Sequence, residues 1–168
     1  QTKIVNIDIK DGSLIGEDSS AISFGSISEG IISNITINTT SNNAYGIFLS
    51  SAKDIEITNA NIKTTASGSH GVKVIYGSNN TFNNIDIATI SSNAEGILIT
   101  SSSNNTFNDI NIKTSGLTSD GLTLTGPLGL SEWNNFYDSI INSSTANDTL
   151  FYTDSGGILN FINVTIVT

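Results

Sequence analysis

The stretch Thr81–Asn105, TFNNIDIATISSNAEGILITSSSNN, decides the fold, because the chain begins it again at Thr106 as TFNDINIKTS. Its anchor is Phe82, which opens a short signature: a large apolar residue, Asn or Asp two positions later, and Ile five positions later. The signature occurs seven times, at Ile4, Ile32, Ile57, Phe82, Phe107, Phe136 and Phe161, with spacings of 28, 25, 25, 25, 29 and 25 residues. A near-constant period of this length, filled with short alternating apolar runs, is the mark of a solenoid.

Each repeat reads as three short strands. Strand a ends at the anchor and the chain bends at the Asn. Strand b is an I-x-I run, as in Ile35/Ile37, Ile85/Ile87 and Ile110/Ile112. After a polar turn, strand c is a G-I-x-I run, introduced by Gly46, Gly71, Gly96 or Gly121. Period-two alternation sends one residue inward and the next outward. Runs this short form a sheet only by pairing with their equivalents one coil away. The expected fold is therefore all-β: a parallel β-helix of seven coils of about 25 residues, three parallel sheets around an Ile-rich core, and no capping helix. One domain spanning 1–168 is expected. The extra residues fall near Ile15–Ser19 and in Gly126–Trp133.

The bend column is Asn6, Asn34, Asn59, Asn84, Asp109, Asp138 and Asn163. Asn tolerates the bend, and its amide both donates and accepts, so stacked copies are expected to hydrogen-bond as a ladder. Asp109 and Asp138 are neighbours in that column. Two buried carboxylates so close would need a proton or cation, and Ser139 replaces the aliphatic residue beside them, so a corner open to solvent is expected.

These motifs, the G-I-x-I strand, the S-N-N-T-F corner (Ser78–Phe82 and Ser103–Phe107) and the N-I-x-I corner, resemble those of the right-handed parallel β-helix repeat family. Its pectate-lyase-like solenoids include many prokaryotic and archaeal cell-surface proteins. The resemblance covers essentially the whole chain and implies right-handed coiling. It also implies residues that are missing: there is no Arg to act as a lyase base, and Ser69-His70-Gly71 lacks the adjacent Asp pair of the polygalacturonase branch.

No catalytic, cofactor-binding or metal-ligating residue is therefore assigned, and no cofactor is expected. One column is a candidate: Tyr45, His70, Glu95 and Asp120 precede strand c on successive coils, about 5 Å apart. Two carboxylates at that spacing suit retaining glycoside hydrolysis, and His with two carboxylates suits a divalent metal. A water-facing corner that tolerates any polar residue is the plainer expectation.

The net charge is −9, with six Lys and no Arg, which opposes binding to nucleic acid or to an anionic membrane. No apolar run reaches the roughly 18 residues of a membrane span, and there is no Cys. The chain starts at Gln1 without Met, as a mature form does after a signal peptide is removed, so an extracellular or cell-surface location is expected. Seven Asn-x-Ser/Thr acceptors occur among 22 Asn. Asn34 and Asn163 are expected to be inaccessible in the ladder, leaving Asn38, Asn142 and Asn147 as glycosylation candidates. Leu128, Leu130 and Trp133 form a candidate contact loop, and Phe48 and Leu98 are expected to face outward from strand c.

Solenoids usually carry caps over their open ends. Here the pattern already runs at Ile4 and still runs at Ile166. The expectation is a structural protein that stacks on copies of itself, end to end or laterally, into a filament, sheath or surface layer. The alternative is a carbohydrate-binding or adhesive module, and after that a divergent polysaccharide lyase or hydrolase.

Overall fold

The computed structural model describes residues 2–5, 8–10, 20–126, 132–144, 151–153 and 157–167. Among them are sixteen strands and no helix. In chain order these are β1 (Thr2–Val5), β2 (Asp8–Lys10), β3 (Ser20–Gly25), β4 (Ser28–Thr39), β5 (Tyr45–Ser50), β6 (Lys53–Thr64), β7 (Val72–Ile75) and β8 (Thr81–Thr89). They continue as β9 (Ile97–Thr100), β10 (Thr106–Thr114), β11 (Leu122–Thr125), β12 (Asn134–Tyr137), β13 (Ile140–Ser143), β14 (Phe151–Thr153), β15 (Leu159–Ile162) and β16 (Thr165–Val167).

Every strand pairs in parallel with its equivalent one coil away, so the molecule is an all-β parallel β-solenoid. Phe82 pairs with Ile57 on one side and Phe107 on the other, and Ile97 lies between Val72 and Leu122. The anchors thus set the register along the whole path β1-β4-β6-β8-β10-β12-β15. Complete turns number about five, fewer than the seven coils expected from the anchors.

Where three sheets are expected, the described strands form two. Hydrogen bonding joins strands a and b into one ten-stranded sheet, while strand c forms a separate six-stranded sheet, β14-β11-β9-β7-β5-β3. The reason lies at the bend. Asn34, Asn59, Asn84 and Asp109 adopt φ of 55°, 57°, 53° and 55°, turning the chain in a single left-handed residue. Asn and Asp enter that region more readily than other side-bearing residues, so β4, β6, β8 and β10 bend without breaking. Three further columns turn the coil in the same way: Asn43/Gly68/Asn93/Thr118, Ser26/Ser51/Tyr76/Ser101, and Glu29/Asp54/Asn79/Asn104/Trp133.

The core is the stack of inward residues. Ile37, Ile62, Ile87, Ile112 and Ile141 form one column, each at most 3 % exposed. Phe82, Phe107 and Phe136 stack face to face at centroid distances of 4.7 and 4.4 Å. Burial of each such side chain contributes roughly 1.5–3 kcal/mol before ordering entropy is subtracted.

Polar side chains also line the interior. Asn80, Asn105 and Asn134, two residues before their anchors, are fully buried. Asn80 Nδ2 donates to Asn105 Oδ1 at 3.0 Å, and Asn105 Nδ2 donates to Asn134 Oδ1 at 2.9 Å. Backbone groups complete the set, with the Ile55 N–H on Asn80 Oδ1 and Asn134 Nδ2 on the Ser102 carbonyl. A second interior column holds Thr39, Thr64, Thr89 and Thr114, where only Thr114 bonds onward, to Ser143 Oγ at 3.0 Å.

Candidate functional site

The bend places the outer Asn column on the surface. Asn59 Nδ2 donates to Asn34 Oδ1 at 3.0 Å, and Asn84 Nδ2 donates to Asn59 Oδ1 at 2.8 Å. Farther along, Asn163 Nδ2 donates to Asp138 Oδ1 at 2.6 Å. Asn6 lies outside the described residues. These ladder residues are exposed, which corrects the expectation that Asn34 and Asn163 are inaccessible. A left-handed residue at this bend carries its side chain away from the packed Ile columns, so the stack forms along the outside. Asp109 and Asp138 share that exposed corner, where water solvates both carboxylates.

A groove of about 310 Å³ follows this ladder. Asn34, Asn59 and Asn84 form one wall, and Thr36, Asn61 and Asp86 form the other. Ile35 and Ala60, whose side chains are buried, close the floor. Of these groups, Asp86 Oδ1 accepts from Asn111 Nδ2 at 3.0 Å. Each ladder amide has two N–H bonds and two oxygen lone pairs. In the described ladder Asn59 uses one of each, Asn84 one N–H and Asn34 one lone pair, so every amide keeps at least one of each for another partner.

The column before strand c is more enclosed than a water-facing corner. Tyr45 is 3 % and His70 9 % exposed, and their rings stack with centroids 5.1 Å apart. Lys73 Nζ donates to Tyr45 Oη at 2.7 Å and lies 4.2 Å from its ring centroid. On the next coil, Glu95 Oε2 contacts His70 Nδ1, and the Glu95 N–H points at the same nitrogen at 3.2 Å. Asp120 Oδ2 instead accepts from Thr123 Oγ1 at 3.2 Å. The two carboxylates thus engage different partners. Among the described residues no group of three or more His, Cys, Asp or Glu is arranged to hold a metal ion. The column ties successive coils through the Tyr45–His70 ring stack and the Glu95 N–H on His70 Nδ1, and its sequence signal is the succession Tyr45, His70, Glu95.

Outside strand c, Phe48, Lys73 and Leu98 stand in successive coils, half-buried. Trp133 is 54 % exposed at a left-handed corner, and Tyr76 is 65 % exposed in the neighbouring corner column. Leu128 and Leu130 lie outside the described residues. Among the glycosylation candidates, Asn38 is exposed on β4, Asn142 is half-buried on β13, and Asn147 lies outside the described residues. The acceptors Asn79 and Asn104 are also exposed at left-handed corners.

At the last described coil the interior comes to the surface. Ile166 continues the column of Ile141, yet it is 40 % exposed where Ile141 is 0 %. Ile162 and Val167, which pair with the outward positions Tyr137 and Asn142, are exposed at 53 % and 40 %, and Ile158 at 37 %.

No family model matches the chain, and no curated protein matches it. Two solved structures align along most of its length. One is QnrB1, described as a plasmid-mediated fluoroquinolone resistance protein: 15 % identity, 98 % of this chain and 89 % of that chain, TM-score 0.18. The other is HetL from the cyanobacterium Nostoc, a pentapeptide repeat protein involved in heterocyst differentiation regulation: 10 % identity, 96 % of this chain and 87 % of that chain, TM-score 0.19. Overlap this low carries no conclusion about function. The architecture rests on the strand register instead, which makes the chain a β-solenoid repeat protein.

Proposed function

We propose that the protein is a structural element of the cell exterior, which adds to copies of itself through its open rungs to build a filament, sheath or surface layer. The observation that carries this reading is the terminal rung. Among the described residues β15 and β16 pair with β12 and β13, and Ile166, in the core column of Ile141, is 40 % exposed, which offers an apolar face to a further rung. The rung at the opposite end has the same layout. β15 and β1 each have four residues, β16 and β2 each have three, and two residues separate the strands in both rungs. Leu159 would then lie over Thr2 of the next copy and Ile166 over Ile9, continuing the columns in register. Such a head-to-tail contact does not close on itself and so propagates.

Composition supports the exterior location: an acidic, Arg-free, Cys-free chain rich in Asn, Ser and Thr. The exposed Asn38 supports glycan attachment there. The G-I-x-I strands and Asn bends support kinship with the pectate-lyase-like solenoids of surface proteins. Electron microscopy and sedimentation of the purified native protein test the assembly reading. Elongated or planar particles are expected, and Ile166→Lys, which sets a charge on the terminal face, is expected to leave particles of one chain. Dispersed monomers of the unmodified protein across the concentration range would overturn it.

A second reading, an adhesive or carbohydrate-binding module, is favoured by Trp133 and Tyr76, two exposed aromatics on adjoining corner columns. Aromatic faces of this kind offer apolar contact with a polar tip. Glycan-array binding that Trp133→Ala abolishes would support it; an array without signal would dismiss it.

A further inference from the structure

We infer that the groove along the outer Asn ladder is a binding site for a neutral glycan chain lying parallel to the solenoid axis. It is a different surface from the Trp133 corner, and it needs no end-to-end assembly.

The inference starts from unspent hydrogen-bonding capacity. One wall is lined by Asn34, Asn59 and Asn84, each with at least one N–H and one lone pair beyond the ladder bonds, and the other by the Thr36 hydroxyl and the Asn61 amide. Donors and acceptors therefore alternate over short distances. A sugar hydroxyl both donates and accepts, and matches such a surface with the same group. Spacing separates this ligand from an extended peptide. The walls repeat with the strand separation, roughly 4.8 Å, whereas a peptide strand laid along the axis repeats its side chains about every 6.8 Å and loses register within two rungs. A flexible glycan adjusts its hydroxyls at each ring.

Charge narrows the class further. Asp86 stands in the wall, and the chain carries a net charge of −9, so uronates, sulfated sugars and phosphates are repelled. The groove volume of about 310 Å³ lies at the low end for ligand pockets. Its three coils span roughly 10 Å along the axis. That length holds one to two sugar rings, with the chain continuing past either end. No aromatic side chain lines the groove, so binding rests on hydrogen bonds and is weak per ring, gaining strength only when many solenoids are arrayed.

Titration of the uniformly 15N-labelled protein with cellotetraose, chitotetraose and mannotetraose, followed by NMR, tests the site. At least one neutral tetrasaccharide is expected to shift the amide signals of Thr36, Asn61 and Asp86, while tetragalacturonate shifts none. Thr36→Val with Asn61→Leu changes two outward side chains only, and is expected to weaken binding about tenfold at an unchanged melting temperature. Asp86→Asn is expected to keep neutral binding within about twofold and to admit tetragalacturonate. Trp133→Ala is expected to leave the groove signals as they are, which separates this site from the corner aromatics. Three results would each overturn the inference: no groove shift with any neutral tetrasaccharide, equal affinity in the Thr36/Asn61 double variant, or tetragalacturonate binding equal to the neutral sugars in the unmodified protein.

Discussion

Asn59 carries two duties at once, and they can be separated. It holds a φ of 57°, and its side chain accepts from Asn84 and donates to Asn34. Ala at this position keeps neither the conformational ease nor the ladder, whereas Gly keeps the first and loses the second. Asn59→Ala is expected to destabilise the protein by about 1.5–3 kcal/mol, combining a left-handed penalty of roughly 1–2 kcal/mol with exposed hydrogen bonds of about 0.5–1 kcal/mol. Asn59→Gly should cost about 1 kcal/mol less, and urea denaturation of the two variants measures the difference. Equal losses would mean that the bend does not require a left-handed residue. The interior Asn80, Asn105 and Asn134 are a harsher case, because every amide group there is fully removed from water and depends on its neighbour.

Among the elements, strand c shows best why a glycine recurs before it. A Cβ on Gly46, Gly71 or Gly96 would stand 2.5, 2.6 or 2.5 Å from the carbonyl oxygen of the next glycine in the column. Close approach of successive backbones, more than turn geometry, is what Gly supplies. Gly71→Ala is therefore expected to cost at least about 1–3 kcal/mol as the coils are forced apart, with a melting-temperature loss measured by circular dichroism. The same element marks how far the sequence could be read. The recurrence of Phe82 at Phe107 and the period of 25 residues fixed pairing and inward faces, because a solenoid repeats its contacts with its letters. The sheet count was not legible, since whether a bend interrupts the hydrogen-bond ladder depends on backbone angles at Asn34 and its equivalents. The exposed position of the Asn ladder was hidden for the same reason. The buried Asn80–Asn134 ladder did leave a signal, an Asn two residues before each Phe anchor: the second Asn of S-N-N-T-F and the first of W-N-N-F at Trp133–Phe136. The column Thr39, Thr64, Thr89, Thr114 left another, as identical letters at identical spacing. The groove left none, because its depth depends on how the bend sets Asn34, Asn59 and Asn84 against Thr36 and Asn61.

At the scale of the molecule, the strands lie across the solenoid axis and their hydrogen bonds run along it, each coil touching only the coils before and after it. Tension applied between the two ends therefore loads those bonds lengthwise and in series, one rung at a time, with no sheared pair of long strands to resist as a block. Under a pulling force the rod should ravel from an end like knitting, each rung yielding before the next is loaded. A coil of 25 residues contributes about 85 Å of extended chain at roughly 3.4 Å per residue. Single-molecule force spectroscopy is expected to record a train of small, similar steps of about 80 Å, and reversible rewinding when the load is released. One large rupture would show instead that the coils unfold as a unit. Within one rod the chain keeps its ravelled coils connected, so the rod lengthens under tension without parting; in a filament of stacked copies the contact between two chains has the same rung bonding but no connecting chain, and that is where the filament would part.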